Sequence, residues 1–149
     1  IWQCGDRYFE QNTLWLSEKK AAHPNLEKSV RCLGFIDRMD LAYTSADIIA
    51  SRAGAMSISE LALVAKPTIL IPSPHVAEDH QTKNALSLVD RGAAIMINDK
   101  EVVQRLGEEI HSLLDDEARC INMSKALRDA ARPEACVEIV DLIEQTLKQ

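Results

Sequence analysis

The sequence predicts an α/β fold, a Rossmann-like parallel sheet with helices on both faces. Short apolar runs alternate with helical segments, and the connections between them are only a few residues long. The run 68–71 lies between Pro67 and Pro72 and has the composition of a strand buried on both faces of a parallel sheet. The 149 residues, 46% hydrophobic and 27% charged, suit one globular domain, which we expect to span residues 1–149.

The elements follow in order along the chain. Strands are predicted at residues 1–4, 30–35, 47–50, 68–71 and 93–97. Helices are predicted at 6–22, 37–45, 55–64 and 79–91, with two or three more after residue 97. Asp6 and Asp37 are expected to cap the first two helices, and Phe9 and Leu16 to face inward. Two late helices carry apolar residues at helical spacing: Val103, Leu106, Ile110 and Leu113, then Cys136, Ile139, Ile143 and Leu147.

Composition excludes several classes of protein. The net charge is −6 and no basic cluster occurs, which argues against nucleic-acid binding. No apolar run reaches the roughly 20 residues of a membrane span, and the first residues do not form a signal peptide. The 4 cysteines lack metal-like spacing, so we expect free thiols and a cytoplasmic location. Because the chain begins at Ile1 directly in a strand-like run, we expect a fragment of a longer protein.

Ligands of open parallel sheets bind beyond the carboxyl ends of the strands, so the loops there are the candidate sites. In the first loop, residues 51–60, a glycine precedes a helix whose first N–H groups suit an anion. Glu60 lies three residues after Ser57 on the same helical face, where a carboxylate suits a ribose diol. The alternative is a capping box with Ser57 as the N-cap and Glu60 as its partner. Arg52 is interpreted as a surface cation.

The second loop, residues 72–84, leads into a helix that carries Gln81 and Asn84 on one face. Side-chain amides both donate and accept hydrogen bonds, which suits a hydroxyl-rich ligand, although a solvated face explains them equally well. Asp79 is typical of an N-cap. A metal site built from His75, Glu78, Asp79 and His80 is disfavoured because no known ligand spacing matches. We therefore expect no metal.

The third loop, residues 34–37, places Phe35 and Ile36 at a strand end, where they suit a flat base or, equally, a hydrophobic core. The sequence has no G-x-G-x-x-G, no P-loop and no G-x-S-x-G motif. It offers no convincing nucleophile–base pair either. Ordinary dehydrogenases, kinases and serine hydrolases are therefore disfavoured.

These loops together resemble one family, the peptidoglycan UDP-N-acetylglucosamine transferases (undecaprenyldiphospho-muramoylpentapeptide β-N-acetylglucosaminyltransferases), in their carboxyl-terminal half. The resemblance runs in one register from about Ile1 to the last helix. Its motifs are Ala46-Asp47, Ser51-Arg52-Ala53-Gly54-Ala55, Ser59-Glu60-Leu61, Pro67, Pro72-Ser73-Pro74, Asp79-His80-Gln81 and Asn84-Ala85.

The resemblance implies the GT-B arrangement of two Rossmann-like halves, of which this chain is the donor-binding half. It implies that Phe35 and Ile36 contact uracil, with backbone groups of Ile36 reading the base. It also implies that Ala55, Met56 and Ser57 contact the diphosphate and sugar and that Glu60 contacts the ribose. Gln81 and Asn84, with His80 beside them, are implied to contact N-acetylglucosamine.

The implied reaction is inverting transfer of N-acetylglucosamine from UDP to a lipid-linked muramoyl-pentapeptide, converting lipid I to lipid II, with no cofactor. The amino-terminal half of the family, with its membrane-facing patch and catalytic base, has no counterpart here, nor has the first strand and helix of the carboxyl-terminal half. We therefore expect no catalytic residue and no transferase activity in this fragment. The whole protein is expected peripherally on the cytoplasmic face of the inner membrane.

Three alternatives remain at this point. The first is a naturally separate donor-binding subunit, like the soluble half of a two-chain UDP-N-acetylglucosamine transferase, whose membrane partner would supply the rest. A UDP-N-acetylglucosamine 2-epimerase-like domain shares the fold, but should show further catalytic carboxylates and histidines. A non-enzymatic nucleotide-binding module is the third alternative. An unpaired edge strand, where the missing strand belongs, also predicts a homodimer of the fragment.

Overall fold

The computed structural model describes residues 1–74 and 79–148. The chain divides into two compact units, Ile1–Ser45 and Ala46–Gln149. A single domain over residues 1–149 stays a prediction. All strand pairs are parallel and alternate with helices, as predicted, and they form two ladders, one of two strands and one of three.

The first unit contains two strands and two helices: β1 (Trp2–Gln3), α1 (Asp6–Ala22), β2 (Cys32–Leu33) and α2 (Met39–Ser45). The helix α1 begins at Asp6, so the predicted capping role of Asp6 is wrong. The N-cap is Gly5, whose φ of +82° lies in the left-handed region that favours glycine. Leu16 is buried as predicted, whereas Phe9 is 38% exposed.

The helix α2 corrects a second predicted cap. It begins at Met39, and the carbonyl of Arg38 accepts from the Ala42 N–H at 3.2 Å. The N-cap place therefore belongs to Arg38, and not to Asp37.

The second unit contains three strands and five helices. They are β3 (Ile49–Ser51), α3 (Ala55–Val64), β4 (Thr68–Leu70), α4 (His80–Val89), β5 (Ile95–Met96), α5 (Val102–Leu114), α6 (Glu117–Ala130) and α7 (Ala135–Leu147). The strand order is β3-β4-β5, so β4 is central. All three residues of β4 are buried, as its composition predicts.

One part of the core of this unit lies between the sheet and helices α5 and α6. Four of its buried residues form one cluster: Ile69, Ile97, Leu113 and Met123. On α5, Leu106 and Ile110 pack against this cluster as predicted. Val103 is 94% exposed, and its neighbour Val102 packs inward instead, so the predicted stripe was wrong by one position at its start.

The last helix, α7, has no buried residue. Its predicted apolar stripe exists, but Ile139, Ile143 and Leu147 are all exposed. Periodicity predicted the helix correctly, while burial depends on a partner surface that periodicity does not supply.

Two further predictions concern cysteines and the membrane. The four cysteines are free thiols, as predicted. Cys4 and Cys32 lie in the first unit with their sulfur atoms 3.6 Å apart, and burial raises the pKa of the Cys32 thiol. Over residues 1–74 and 79–148, no helix is both long and apolar enough to cross a membrane.

Candidate functional site

The carboxyl ends of the three strands in the second unit lie at one edge of the sheet. The Ile71 N–H donates to the Ser51 carbonyl at 2.8 Å, and the Ile97 N–H donates to the Leu70 carbonyl at 2.9 Å. The loops that leave β3, β4 and β5 therefore start side by side. This is where an open parallel sheet binds its ligands.

The first of these loops ends at the start of α3. The N-cap of α3 is Gly54, which has no side chain to accept a hydrogen bond from the first turn. The first hydrogen bond of the helix joins the Ile58 N–H to the Gly54 carbonyl at 2.9 Å. The N–H groups of Ala55, Met56 and Ser57 therefore precede the hydrogen-bonded ladder of α3.

The capping box considered for Ser57 and Glu60 is wrong. Ser57 is the third residue of α3 and not its N-cap, so its hydroxyl stands beside the helix start instead of closing it. Met56, in the first turn, is 75% exposed. Glu60 is exposed one turn into the helix, on the face that it shares with Ser57.

The second loop is tied to α4 by the two predicted amide side chains. Gln81 Oε1 accepts from the Ser73 N–H at 2.8 Å. Asn84 Nδ2 donates to the Ala53 carbonyl at 3.1 Å, which links α4 to the loop after β3. Both side chains are half-buried, so the solvated-face alternative is wrong for them. The Ser73 bond uses the oxygen of Gln81 and the Ala53 bond uses the nitrogen of Asn84, so neither bond involves the other polar atom of its amide.

The residues at the start of α4 differ from the prediction in one respect. Asp79 stands at the N-cap place with a φ of 55°, but its side chain accepts from the Thr82 hydroxyl and from no first-turn N–H. His80 is the first residue of α4 and is exposed. Of the disfavoured metal ligands, His75 and Glu78 lie outside the described residues. Within the described ranges, no three histidine, cysteine or acidic side chains are grouped as a metal site.

Arg52 has a role that the sequence did not reveal. Its Nη1 lies 3.3 Å from the Ile71 carbonyl oxygen, 3.4 Å from that of Pro72 and 2.5 Å from Asp99 Oδ1. The residue predicted to be a plain surface cation thus joins the loops that follow all three strands. A local sequence motif could not predict the Arg52–Asp99 contact, because Asp99 lies 47 residues further along the chain.

The turn after β5 carries this Asp99 and is itself held by polar contacts. Asn98 Nδ2 donates to Glu101 Oε2 at 2.9 Å, and Arg105 lies 3.3 Å from the same oxygen. The Asn98 hydrogen bond, with the charge of Arg105, lowers the pKa of Glu101. Hydrogen bonds and an ion pair therefore hold the turn that contains Asp99.

The first unit holds the remaining predicted residues. Phe35 is 64% exposed and Ile36 is half-buried, at the end of β2. The Ile36 N–H donates to Gln3 Oε1 at 3.0 Å. A base that uses this N–H must therefore displace the Gln3 amide, whereas the Ile36 carbonyl is not part of that bond.

A cavity of about 400 Å³ lies at the opposite edge of the three-stranded sheet. It is lined by Ala94 and Ile95 at the beginning of β5 and by Ala118, Arg119 and Asn122 of α6. None of the predicted site residues lines it. The candidate loops are therefore not part of this cavity.

Comparison with known proteins decides the family. Residues 1–139 match the family model described as the glycosyltransferase family 28 C-terminal domain. The chain belongs to this family. The match extends through both units and all of the candidate loops.

Curated relatives of this family 28 chain carry a more specific name. It is 48% identical over 150 residues to a Porphyromonas gingivalis protein and 46% identical over 143 residues to one from Flavobacterium psychrophilum. Both are named UDP-N-acetylglucosamine–N-acetylmuramyl-(pentapeptide) pyrophosphoryl-undecaprenol N-acetylglucosamine transferase. The alignments cover 99% and 96% of this chain but only 38% and 36% of those proteins.

A solved structure agrees with the sequence relatives. The crystal structure of Acinetobacter baumannii MurG matches with a TM-score of 0.79 and 30% identity, over 96% of this chain and 40% of that one. The predicted family and the predicted fold class are confirmed. The roles of the individual site residues stay predictions.

Proposed function

We propose that this family 28 chain is the UDP-N-acetylglucosamine-binding part of an inverting glycosyltransferase that acts on a lipid-linked muramoyl-pentapeptide. The names of its relatives supply the reaction, and the chain spans less than two-fifths of their length. The single observation that carries the proposal is the start of α3. It lies at the carboxyl edge of the sheet without a side-chain cap.

The diphosphate of the donor is proposed to bind at this helix start. Backbone N–H groups of Ala55, Met56 and Ser57 precede the α3 ladder and lie at the positive end of the helix dipole. Because Gly54 has no side chain, an anion can approach these groups without displacing an internal cap. During transfer, negative charge grows on the UDP leaving group, and the same N–H groups stabilise it.

Glu60 is proposed to bind the ribose hydroxyls. It lies one turn beyond the helix start, and a carboxylate accepts two hydrogen bonds from a diol. Its position on the Ser57 face of α3 is the support for this assignment.

Gln81 and Asn84 are proposed to bind hydroxyl groups of N-acetylglucosamine, with His80 beside them. The Ser73 bond uses the oxygen of Gln81, and its N–H groups take no part in that bond. The Ala53 bond uses the nitrogen of Asn84, and its oxygen takes no part. A sugar hydroxyl both accepts and donates, so it matches a donor on one residue and an acceptor on the other.

Phe35 and Ile36 in the first unit are proposed to contact uracil. Phe35 offers an exposed aromatic ring for stacking. The Ile36 carbonyl can accept from the N3–H of uracil without breaking the Gln3 contact, and this favours uridine over cytidine, whose N3 has no hydrogen.

The acceptor and the general base are proposed to come from other parts of the whole protein. Such a base must lie within hydrogen-bond reach of the acceptor hydroxyl. We expect the 149-residue chain alone to bind the donor without transferring the sugar. The whole protein is proposed to be a hexosyltransferase held peripherally at the cytoplasmic face of the membrane, where its lipid-linked acceptor is found. The edge-strand homodimer also stays a prediction, which analytical ultracentrifugation checks.

Calorimetric titration with UDP-N-acetylglucosamine, UDP and NAD tests the donor site. We expect binding of both uridine nucleotides and none of NAD. Glu60→Ala should weaken the binding roughly 10–150-fold, since a hydrogen bond to a charged group contributes about 1.5–3 kcal/mol. The matched control is Glu108→Ala, which removes an exposed glutamate of α5 and should leave the affinity unchanged.

Two results would count against the proposal. Equal losses in Glu60→Ala and Glu108→Ala would remove the ribose assignment. No binding of UDP at millimolar concentration would remove the donor site from this chain, and repeating the titration with the whole protein would then show whether further residues are required.

A further inference from the structure

Arg52 joins the loops that leave the three strands of the second unit. Its Nη1 is within hydrogen-bond distance of the carbonyl oxygens of Ile71 and Pro72 and of the Asp99 carboxylate. Nη1 has two N–H groups, so the three acceptors share them, and the planar guanidinium fixes the directions of both. A lysine ammonium lacks that fixed geometry.

The contribution of this contact to overall stability is small. The side chain of Arg52 is 55% exposed and that of Asp99 is 37% exposed, and exposed ion pairs stabilise proteins weakly. The main effect of the contact is on the positions of the loops. It ties the backbone that follows β3 to the backbone that follows β4 and to the turn that follows β5.

The backbone held in this way leads directly into α3. Ala53, the next residue, is fully buried, and its carbonyl accepts from Asn84 Nδ2 at 3.1 Å. The Arg52–Gly54 segment is therefore held from one side by Arg52 and from the other by α4. With Arg52 and Ala53 both held, the chain that enters α3 is positioned before any ligand arrives.

We infer that Arg52 is a positioning residue for the donor diphosphate, which holds the start of α3 at the sheet edge through Ile71, Pro72 and Asp99 without touching the donor itself. The inference rests on the proposed function, since it assigns the diphosphate to α3. The Asp99 carboxylate lies against the guanidinium and offsets its charge, and this distinguishes the arrangement from an arginine that awaits a phosphate.

Three variants of the chain test this role: Arg52→Ala, Arg52→Lys and Asp99→Ala. The control is Arg119→Ala, which removes a half-buried arginine that joins α6 to α5 through Ser112 and Glu109. Amide hydrogen exchange at Ile58, whose N–H donates to the Gly54 carbonyl in the first bond of the helix, measures how firmly the start of α3 is held. Calorimetry with UDP and ligand-observed NMR with uridine measure binding with and without a diphosphate.

We expect faster exchange at Ile58 in Arg52→Ala and in Asp99→Ala, and unchanged exchange there in the control. UDP affinity should fall about tenfold in both variants, which lies within the range of coupling between residues in contact. Uridine affinity should not change, because uridine lacks the diphosphate. Arg52→Lys should fall between Arg52→Ala and the unmodified chain. A general loss of structure would instead weaken uridine and UDP alike.

Several results would overturn the inference. Loss of UDP affinity in Arg52→Ala with none in Asp99→Ala would mean that Arg52 contacts the donor directly. Unchanged exchange at Ile58 in both variants would mean that the contacts do not hold the helix start. Failure of the unmodified chain to bind UDP would refute the proposed function instead, and the exchange measurement would still decide whether Arg52 holds α3.

Discussion

Replacing Gly54 by aspartate is expected to preserve the fold and to remove diphosphate binding. Gly54 has φ −65° and ψ 151°, a conformation open to any residue, and an added Cβ would lie 3.6 Å from Ser57 Oγ, an ordinary contact. An aspartate there can accept from the first-turn N–H groups as an N-cap. It would therefore occupy the groups that we assign to the ligand and would add a negative charge beside them.

The size of each effect follows from this position. Aspartate and glycine differ by only a few tenths of a kcal/mol as N-caps, and the helix dipole adds about 0.3–1 kcal/mol in favour of the charge. The free energy of unfolding should therefore stay constant or rise slightly. Two unit charges about 5 Å apart repel by about 3 kcal/mol at an effective dielectric constant of about 20. UDP affinity should then fall roughly 150-fold at low salt.

Calorimetry with UDP and urea unfolding on the same samples measure the two effects. Gly54→Asn is the matched variant, because it caps the helix without a charge. It should lose about fivefold in UDP affinity, near the value of one neutral hydrogen bond. Gly54→Ala neither caps nor charges the helix, so it should bind UDP almost normally while losing about 1 kcal/mol of stability.

Two outcomes would refute the reasoning about the helix start. If Gly54→Asp binds UDP as tightly as the unmodified chain, the diphosphate does not lie at α3. If Gly54→Ala loses as much affinity as Gly54→Asp, the effect is steric and owes nothing to capping or charge. Raised salt should partly restore the affinity of Gly54→Asp, since salt screens exposed charges.

Three further predictions concern the sugar contact, the core and pH. Gln81→Glu keeps an oxygen for the Ser73 N–H but loses both amide donors, so calorimetry should show about tenfold weaker binding of UDP-N-acetylglucosamine and unchanged binding of UDP. Leu113→Ala removes a side chain that is 1% exposed in the cluster with Ile69 and should cost about 2–5 kcal/mol in urea unfolding. Burial, together with the charge of Asp116, raises the pKa of the Cys120 thiol in the folded protein. The free energy of unfolding should therefore be retained below the pKa of the unfolded state and fall as the pH rises through the pKa of the folded state. Unfolding measured against pH should show this loss in the unmodified chain and not in Cys120→Ala.

Each of these has a result that contradicts it. Parallel losses of UDP and of UDP-N-acetylglucosamine binding in Gln81→Glu would place the effect outside the sugar. A cost below about 1 kcal/mol for Leu113→Ala would mean that the core collapses around the gap. Identical alkaline unfolding profiles for the unmodified chain and Cys120→Ala would remove the thiol as the cause.

Local sequence patterns predicted most of the elements. The helix α3 begins and ends at the predicted residues, and α1 ends at the predicted Ala22 but begins at Asp6, the residue predicted as its cap. Strand β4 is central and buried, as its composition and flanking prolines indicate. The family resemblance, carried by short motifs in the loops, is confirmed by the family match over residues 1–139.

Burial was predicted less well than helicity. Phe9, Val103 and the apolar stripe of α7 all have inward-facing spacing, yet all are exposed. Spacing shows which residues share a helical face, but a face is buried only where another element covers it. The element that covers a face comes from distant parts of the chain, so the local sequence does not predict it.

The candidate site divides in the same way. The sequence by itself determined the residue types at the loops, the helix that follows Gly54 and the family to which these loops belong. Only the tertiary structure decided that Gln81 uses its oxygen for Ser73, that Asn84 uses its nitrogen for Ala53, and that Arg52 pairs with Asp99. The physical reason is distance along the chain. A side chain chooses its hydrogen-bond partner among groups that folding brings together, and for Arg52 that partner is 47 residues away.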